Sequence, residues 1–297
     1  MLAPICLFVY NRLYHTQKTL EALKSNRLAN QSDLFIYSDG PKNVEHTDII
    51  HKLRSYLKTV QGFKSITIIE REKNYGLAEN IIDGVTTIVN KYNKIIVLED
   101  DLVTSPYFLT YMNEYLHIYN NEPQVASIHG YVYPLKKAKQ LPETFFIKGA
   151  DCWGWATWKR AWDFFEKDGS RLLYILEKEK LQKSFNFNNT YPYTRMLQEQ
   201  IQGLNNSWAI RWYASAFIHN MLTLYPRYSL VQNIGMDNSG VHCENNDFYN
   251  SPLTDYISIY KQQVVESSEG KKAFIKYFKH LRIQNRIRKL IFFKLGK

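Results

Sequence analysis

The 297-residue chain has only three cysteines, Cys6, Cys152 and Cys243, and no two of them stand in C-x-x-C spacing. That excludes a disulfide scaffold and a thiolate zinc site, and it fits a reducing cytoplasm. With 9 prolines and 13 glycines the chain has too few of either for a collagen-like or low-complexity segment, and 45% hydrophobic against 22% charged residues describes a folded protein. No run approaches the roughly 18 apolar residues that a membrane-spanning helix requires. The apolar start, Met1 to Tyr10, is cut by Asn11-Arg12 and has no basic residues before it, so it reads as a buried strand and not as a leader. Neither a Walker loop nor a G-x-G-x-x-G follows that strand, which excludes the ATP and dinucleotide fingerprints.

Acids are missing altogether after Gly270. Ten cations stand between Lys271 and Lys297, while the other 28 cations of the chain are matched by 28 acids. A neutral body with a basic tail argues against nucleic acid as a partner, because such a footprint spreads over a folded face. In the tail, Phe274, Tyr277, Phe278 and Leu281 form one apolar stripe and Ile283, Ile287, Leu290 and Ile291 a second. Cations lie between the stripes, the pattern of a helix lying on an anionic membrane surface.

What the first half does have is a regular alternation. Ile5 to Tyr10, Leu34 to Tyr37, Ile66 to Ile69, Ile95 to Leu98 and Val125 to Ile128 read as buried strands. Between them, Leu77, Ile81, Ile82, Val85, Ile88 and Val89 mark a helix face, and Ser105-Pro106 reads as the start of another helix. This predicts an α/β fold, a mainly parallel sheet flanked by helices. Three regions are expected: residues 1–130 as the α/β half, 131–270 as an aromatic-rich lobe completing the same domain, and 271–297 as the basic helix. A last strand is expected around Tyr228 to Gln232.

Ligands of open parallel sheets bind beyond the carboxyl ends of the strands. Four polar clusters fall there: Asn11-Arg12, Ser38-Asp39-Gly40, Asn74-Tyr75-Gly76 and Glu99-Asp100-Asp101. Three adjacent carboxylates at the mouth of a buried strand repel one another unless a cation offsets them. Oxygen ligands of this kind suit Mg2+ or Mn2+ held mostly through a substrate's phosphates. The alternative is a set of acids flanking the N-terminus of the next helix, where negative charge is favourable. Asp39-Gly40-Pro41 is also an ordinary turn sequence.

The segment Leu98 to Phe108 resembles the metal-binding segment of GT-A glycosyltransferases, especially the N-acetylglucosaminyltransferase I type. Val9-Tyr10-Asn11-Arg12, Tyr37 to Gly40 and Asn74 to Ala78 follow that family's order and spacing, as do Trp153-Gly-Trp155 and the stretch from Pro226 to His242. The resemblance covers roughly residues 4 to 243 and also extends to bacterial surface-polysaccharide glycosyltransferases. It implies that Tyr10, Asn11, Arg12, Asp39 and Asn74 face the nucleotide of a nucleotide-sugar donor, with Asp100 near the ribose or donor sugar and Glu99 bonded to the transferred sugar. Asp101 would hold the metal. Related transferases close a loop such as Asn233 to His242 over the donor, which makes His242 a second metal candidate.

All six tryptophans lie between residues 153 and 212. Aromatic faces stack on sugar rings, which makes Trp153 and Trp155 candidate acceptor contacts. Trp155, Trp158 and Trp162 also recur at helical spacing, which suits a core. Related enzymes supply a catalytic acid near the position of Trp208 to Trp212, where this chain has none. Asp151 and Glu199 are the candidates for the general base of an inverting transfer.

These residues predict a glycosyltransferase using Mn2+ or Mg2+ and a UDP-sugar. Its acceptor would be a glycan or lipid-linked glycan of capsule or lipopolysaccharide synthesis, and it would work at the inner face of the plasma membrane. A sugar nucleotidylyltransferase is the enzymatic alternative, and it would need a glycine in Val9 to Tyr14. A non-catalytic carbohydrate- or membrane-binding protein is the other.

Overall fold

A computed structural model describes residues 1–237 and 247–295, the side chains of 247 and 287–295 apart. His242 and Cys243 therefore lie outside the described residues. Strand and helix alternate strictly at first: β1 (Ile5–Val9), α1 (Leu13–Lys24), β2 (Asp33–Ser38), α2 (Thr47–Leu57), β3 (Ser65–Glu70), α3 (Gly76–Tyr92) and β4 (Lys94–Glu99). Next come β5 (Leu102–Thr104), α4 (Phe108–Ile118), β6 (Val125–His129), β7 (Thr144–Ile147), β8 (Trp155–Trp158) and α5 (Lys159–Trp162). The chain then runs through α6 (Gly169–Lys178), α7 (Gln182–Phe185), α8 (Tyr193–Ile201), α9 (Trp208–Ile218), β9 (Leu222–Pro226), β10 (Val231–Asn233) and α10 (Ser268–Leu295).

One sheet of eight strands, in the order β3-β2-β1-β4-β8-β6-β9-β7, joins the two halves of the chain. The pairings make six strands run one way, with only β7 and β8 opposed. The mainly parallel α/β class is thus the one observed. All five residues of β1 are buried, as expected of a central strand covered on both faces. Helix α3 buries Ala78, Ile81, Ile82, Val85, Ile88 and Val89 and ends at Asn93, whose left-handed backbone (φ 63°) donates its N–H to the Val89 carbonyl. Ser105 accepts the Tyr107 N–H, and α4 opens at Phe108.

Three sequence expectations need correcting. Trp155 and Trp158 bound a strand, β8, with only Trp162 on a helix. Their spacing of three gives no helix because β8 pairs with β4 on one side and β6 on the other. The last strand, β10, overlaps the expected range but starts at Val231, and it lies outside the main sheet, in a two-stranded antiparallel ribbon with β5. Finally, the first apolar stripe of the tail does not face outward. Phe274, Phe278 and Leu281 are buried against the body, and Tyr277 stacks on Tyr133. Of the second stripe, Ile283 is exposed.

Candidate functional site

Strand order reverses between β1, from which the chain proceeds to β2 and β3, and its other neighbour β4. Such a switch point opens a crevice at the carboxyl ends of the two strands. Glu99, Asp100 and Asp101 end β4 there, and Tyr10, Asn11 and Arg12 leave β1 beside them. The Tyr10 N–H donates to Asp100 Oδ2 at 3.3 Å, and Thr19 Oγ1 of α1 donates to the Asp100 carbonyl at 2.8 Å. Arg12 donates to Asp101 Oδ2 at 2.9 Å, with both side chains mostly buried. The first turn of α1, which Arg12 precedes, contains no acid, so the positive end of that helix opens on the same point. Asn11 is half-buried at the start of the turn.

Burial is the largest influence on all three carboxyls. It raises Glu99 well above the usual carboxylate range, and repulsion from Asp101 and Asp100 adds to it. Asp100 is pushed up to about 7 by burial and then by Asp101, while Arg12 pulls the other way. Asp101 is raised by burial and partly restored by Arg12. Among the described residues the Glu99 side chain has no hydrogen-bond partner. One guanidinium beside three acids leaves excess negative charge in a partly dry place, which is the condition a divalent cation relieves.

Among the described residues, no three His, Cys, Asp or Glu side chains converge as a ready-made metal cage. The donor chemistry nevertheless fits Mg2+ or Mn2+, hard ions that take one or two carboxylates and complete their shell with phosphate oxygens and water. Asp101 would hold such an ion, with the charge of Glu99 and Asp100 adding to the field that attracts it.

The chain after β10 crosses over this pair. Ile234 donates its N–H to the Asp101 carbonyl at 2.9 Å, and Arg12 reaches the Gly235 carbonyl at 3.3 Å and Asp237 Oδ1 at 3.5 Å. His15 Nε2 lies 3.0 Å from Asp237 Oδ2. A Cβ on Gly235 would stand 2.1 Å from Asp101 Oδ2, so any other residue there would have to displace the carboxylate and its Arg12 partner. Sequence reasoning singled out this loop but not Gly235, Asp237 or His15.

Asp39 and Asn74 are brought together on the other side of β1. Asp39 is 4% exposed and accepts four bonds, from the N–H groups of Gly40, Tyr75 and Gly76 and from Asn74 Nδ2. Asn74 also donates to the Gly40 carbonyl at 2.8 Å. In this arrangement Asp39 fixes the start of α3 to the loop after β2, the tie that a turn sequence supplies. Arg54 clamps that loop from behind through the carbonyls of Ser38, Asp39 and Arg71.

In the second half, Asp151 is partly exposed and accepts the Tyr133 hydroxyl on Oδ1 at 2.8 Å and the Tyr225 hydroxyl on Oδ2 at 2.9 Å. Burial raises its carboxyl, and the two hydroxyls work in the opposite direction. Cys152 connects the two halves: burial, then Glu99, Asp151 and Asp101, push its thiol up. Trp153 is half-buried, edge-on to Tyr131 and Tyr249.

Two candidates are not brought to the site. Trp155 is 0% exposed and packs with Trp162, Trp208 and Trp212, so it cannot stack on a sugar; a central strand leaves it no route to solvent. Glu199 points outward from α8 and pairs with Arg195 one turn away, at 3.3 Å.

No protein-family model matches this chain, and no curated protein matches it. Solved structures do. The mannosyltransferase PcManGT from Pyrobaculum calidifontis, in complex with GDP-Man and Mn2+, aligns over 74% of this chain and 75% of its own at 10% identity and a TM-score of 0.36. The 1–349 fragment of S. aureus TarS aligns over 76% of this chain and 60% of its own, at 11% identity and a TM-score of 0.40. A cytidylyltransferase from Leptospira borgpetersenii serovar Hardjo-bovis aligns over 54% and 61%, at 12% identity and 0.31. Likenesses at this level assign no activity.

Proposed function

We propose that this chain is a metal-dependent glycosyltransferase that moves a sugar from a nucleoside diphosphate donor, UDP-linked, to a glycan acceptor with inversion. The observation that carries the reading is the Glu99-Asp100-Asp101 run at the β1/β4 switch point, facing Arg12 and the N-terminus of α1. The absence of glycine from Val9 to Tyr14 weighs against nucleotidyl transfer, which needs a loop to wrap a triphosphate.

In this reading Arg12 faces the diphosphate and Asp101 holds Mn2+ or Mg2+, which when bound offsets the charge of the leaving diphosphate. Glu99 accepts hydrogen bonds from the transferred sugar. Asp100 and Asn11 border the ribose, while Asp39 and Asn74 shape the nucleotide pocket by fixing its loops. Trp153 lines the acceptor side. Asp151 takes the acceptor hydroxyl's proton as that oxygen bonds to the anomeric carbon; the bond from that carbon to the diphosphate breaks, and its electron pair leaves with the diphosphate. Residues 1–130 thus serve the donor and 131–270 the acceptor.

The basic end of α10 suits lipid-linked acceptors of capsule or lipopolysaccharide synthesis on an anionic leaflet. Each cation near such a surface contributes about 1 kcal/mol. Among the described residues no helix is long and apolar enough to cross a membrane, so this contact would be peripheral. Removing residues 282–297 should abolish salt-sensitive sedimentation with anionic liposomes; full-length protein that ignores such liposomes at low salt contradicts this part.

The activity is tested by incubating the protein with a panel of nucleotide sugars and Mn2+. Slow release of nucleoside diphosphate, stopped by EDTA, is expected. Pyrophosphate release from a nucleoside triphosphate and a sugar phosphate would instead establish the nucleotidylyltransferase, and no response to any nucleotide a non-catalytic protein.

A further inference from the structure

We propose that Tyr133 and Tyr225 are positioning residues that hold the Asp151 carboxylate in one orientation and in its charged form for the transfer step. The inference rests on Asp151 being the base and adds how the fold makes it one. Each tyrosine hydroxyl donates to a different carboxylate oxygen, at 2.8 and 2.9 Å, so the carboxylate cannot rotate without losing both bonds.

The tyrosines are themselves locked. Tyr225, on β9, is 1% exposed and stacks on His129 of β6 with ring centres 4.9 Å apart. Tyr133 stacks on Tyr277 of α10 at 4.8 Å, and Phe274 of the same helix lies edge-on to both Tyr133 and Tyr225. A Cβ at position 149 would stand 2.8 Å from the Tyr225 hydroxyl, so Gly149 leaves the space through which that hydroxyl reaches Asp151. Beside them is a cavity of about 10 Å3, lined by Asp151, Tyr193, Tyr213 and Tyr225 among others. It has room for a single water.

No neighbouring charge does the same work. Among the described residues no arginine or lysine pairs with Asp151. Besides Tyr133 and Tyr225, the titratable groups around it are Tyr131, Tyr191 before α8, Tyr193 on α8, Tyr213 on α9, Tyr249, Tyr277 and Cys152, and burial pushes every one of them up. His129, behind Tyr225, is pushed down to about 3 by burial and stays neutral. Hydrogen bonds from neutral hydroxyls are therefore what favours the carboxylate against its desolvation. A base must be ionised to accept a proton, so these two bonds set the lower pH limit of transfer.

The test is the pH–rate profile of transfer for the full-length protein, Tyr133→Phe and Tyr225→Phe, with Asp151→Asn as control. Loss of either donor is expected to move the acidic limb up by about one pH unit, so that kcat falls up to about tenfold on the limb and much less on the plateau above it, with the donor KM unchanged. An unmoved limb, or a uniform loss at every pH, overturns the positioning role while an inactive Asp151→Asn still upholds the base. Normal transfer by Asp151→Asn overturns both. Incorporation of 3-fluorotyrosine at position 225 keeps the ring and strengthens the donor; the limb should then move down, and an unmoved limb counts against the role even where the phenylalanine variants do not fold.

Discussion

Asp101 in the first half of the chain and Asp151 in the second are both acids that burial raises, yet the molecule compensates them differently. Asp101 shares a guanidinium with the loop that crosses it, in a cluster where three carboxylates face one arginine. Among the described residues Asp151 pairs with no cation, and it takes two tyrosine hydroxyls inside an aromatic wall. A cluster short of positive charge is built to gain a cation. A single carboxylate held by neutral donors is built to exchange a proton. The donor and acceptor sides of the proposed reaction need those two properties in turn.

Removing either device should break the contrast in a characteristic way. The largest effect is expected from Asp101→Ala, which removes a carboxylate used for charge and not for packing. Turnover should fall by at least about a thousandfold, several kcal/mol of transition-state stabilisation, with an unchanged melting temperature. Steady-state kinetics with saturating Mn2+ measures this, and near-normal turnover would contradict the metal role.

The aromatic wall gives the next effect, on stability. Trp155→Ala should cost about 3–5 kcal/mol because it empties a fully buried position among three other tryptophans. Trp153→Ala, at a half-buried position, should cost about 1 kcal/mol or less and raise the acceptor KM instead. Chemical denaturation of the two variants separates them, and equal losses would erase the distinction between a core and a cleft tryptophan.

A smaller effect should appear in the pH dependence of metal binding. A carboxyl raised in the folded state binds its proton more tightly folded than unfolded, so its contribution to stability falls as pH rises. For Asp100 that window runs from about 4, its unfolded range, up to about 7. A cation has to displace those protons and relieves the repulsion that replaces them. The rise in melting temperature on adding Mn2+ should therefore be larger at about pH 7.5 than at about pH 5.5. Differential scanning fluorimetry at the two values checks the sign, and the reverse order would contradict it. The smallest change belongs to Glu199→Gln, which should leave transfer within about twofold because the residue sits in an exposed ion pair.

The same two regions differ in how much of them could be read from the sequence. Strands β1, β2 and β4 are short apolar runs with buried residues, while β3, expected to be buried as well, is an edge strand with none; the three acids at the end of β4 are adjacent in the chain, so the switch point and its carboxylates were visible as a pattern. Asp151 was visible only as an acid before a Trp-Gly-Trp turn. Its partners lie 18 and 74 residues away, on different elements, and nothing local in Tyr133 or Tyr225 marks them among 22 tyrosines. Trp155 misled for a related reason: a spacing of three residues looks helical until the neighbouring strands are known. The apolar stripe at Phe274 and Phe278 carried no sign of which surface would cover it, a membrane or the protein's own tyrosines.

The most direct test of the switch-point cluster as the donor site is calorimetric titration of UDP into the wild-type protein and into Asp101→Asn, each with and without Mn2+. Binding by the wild type that requires the metal is expected, and none by Asp101→Asn at the same melting temperature. Equal UDP binding by the two proteins, or wild-type binding indifferent to Mn2+, would contradict it.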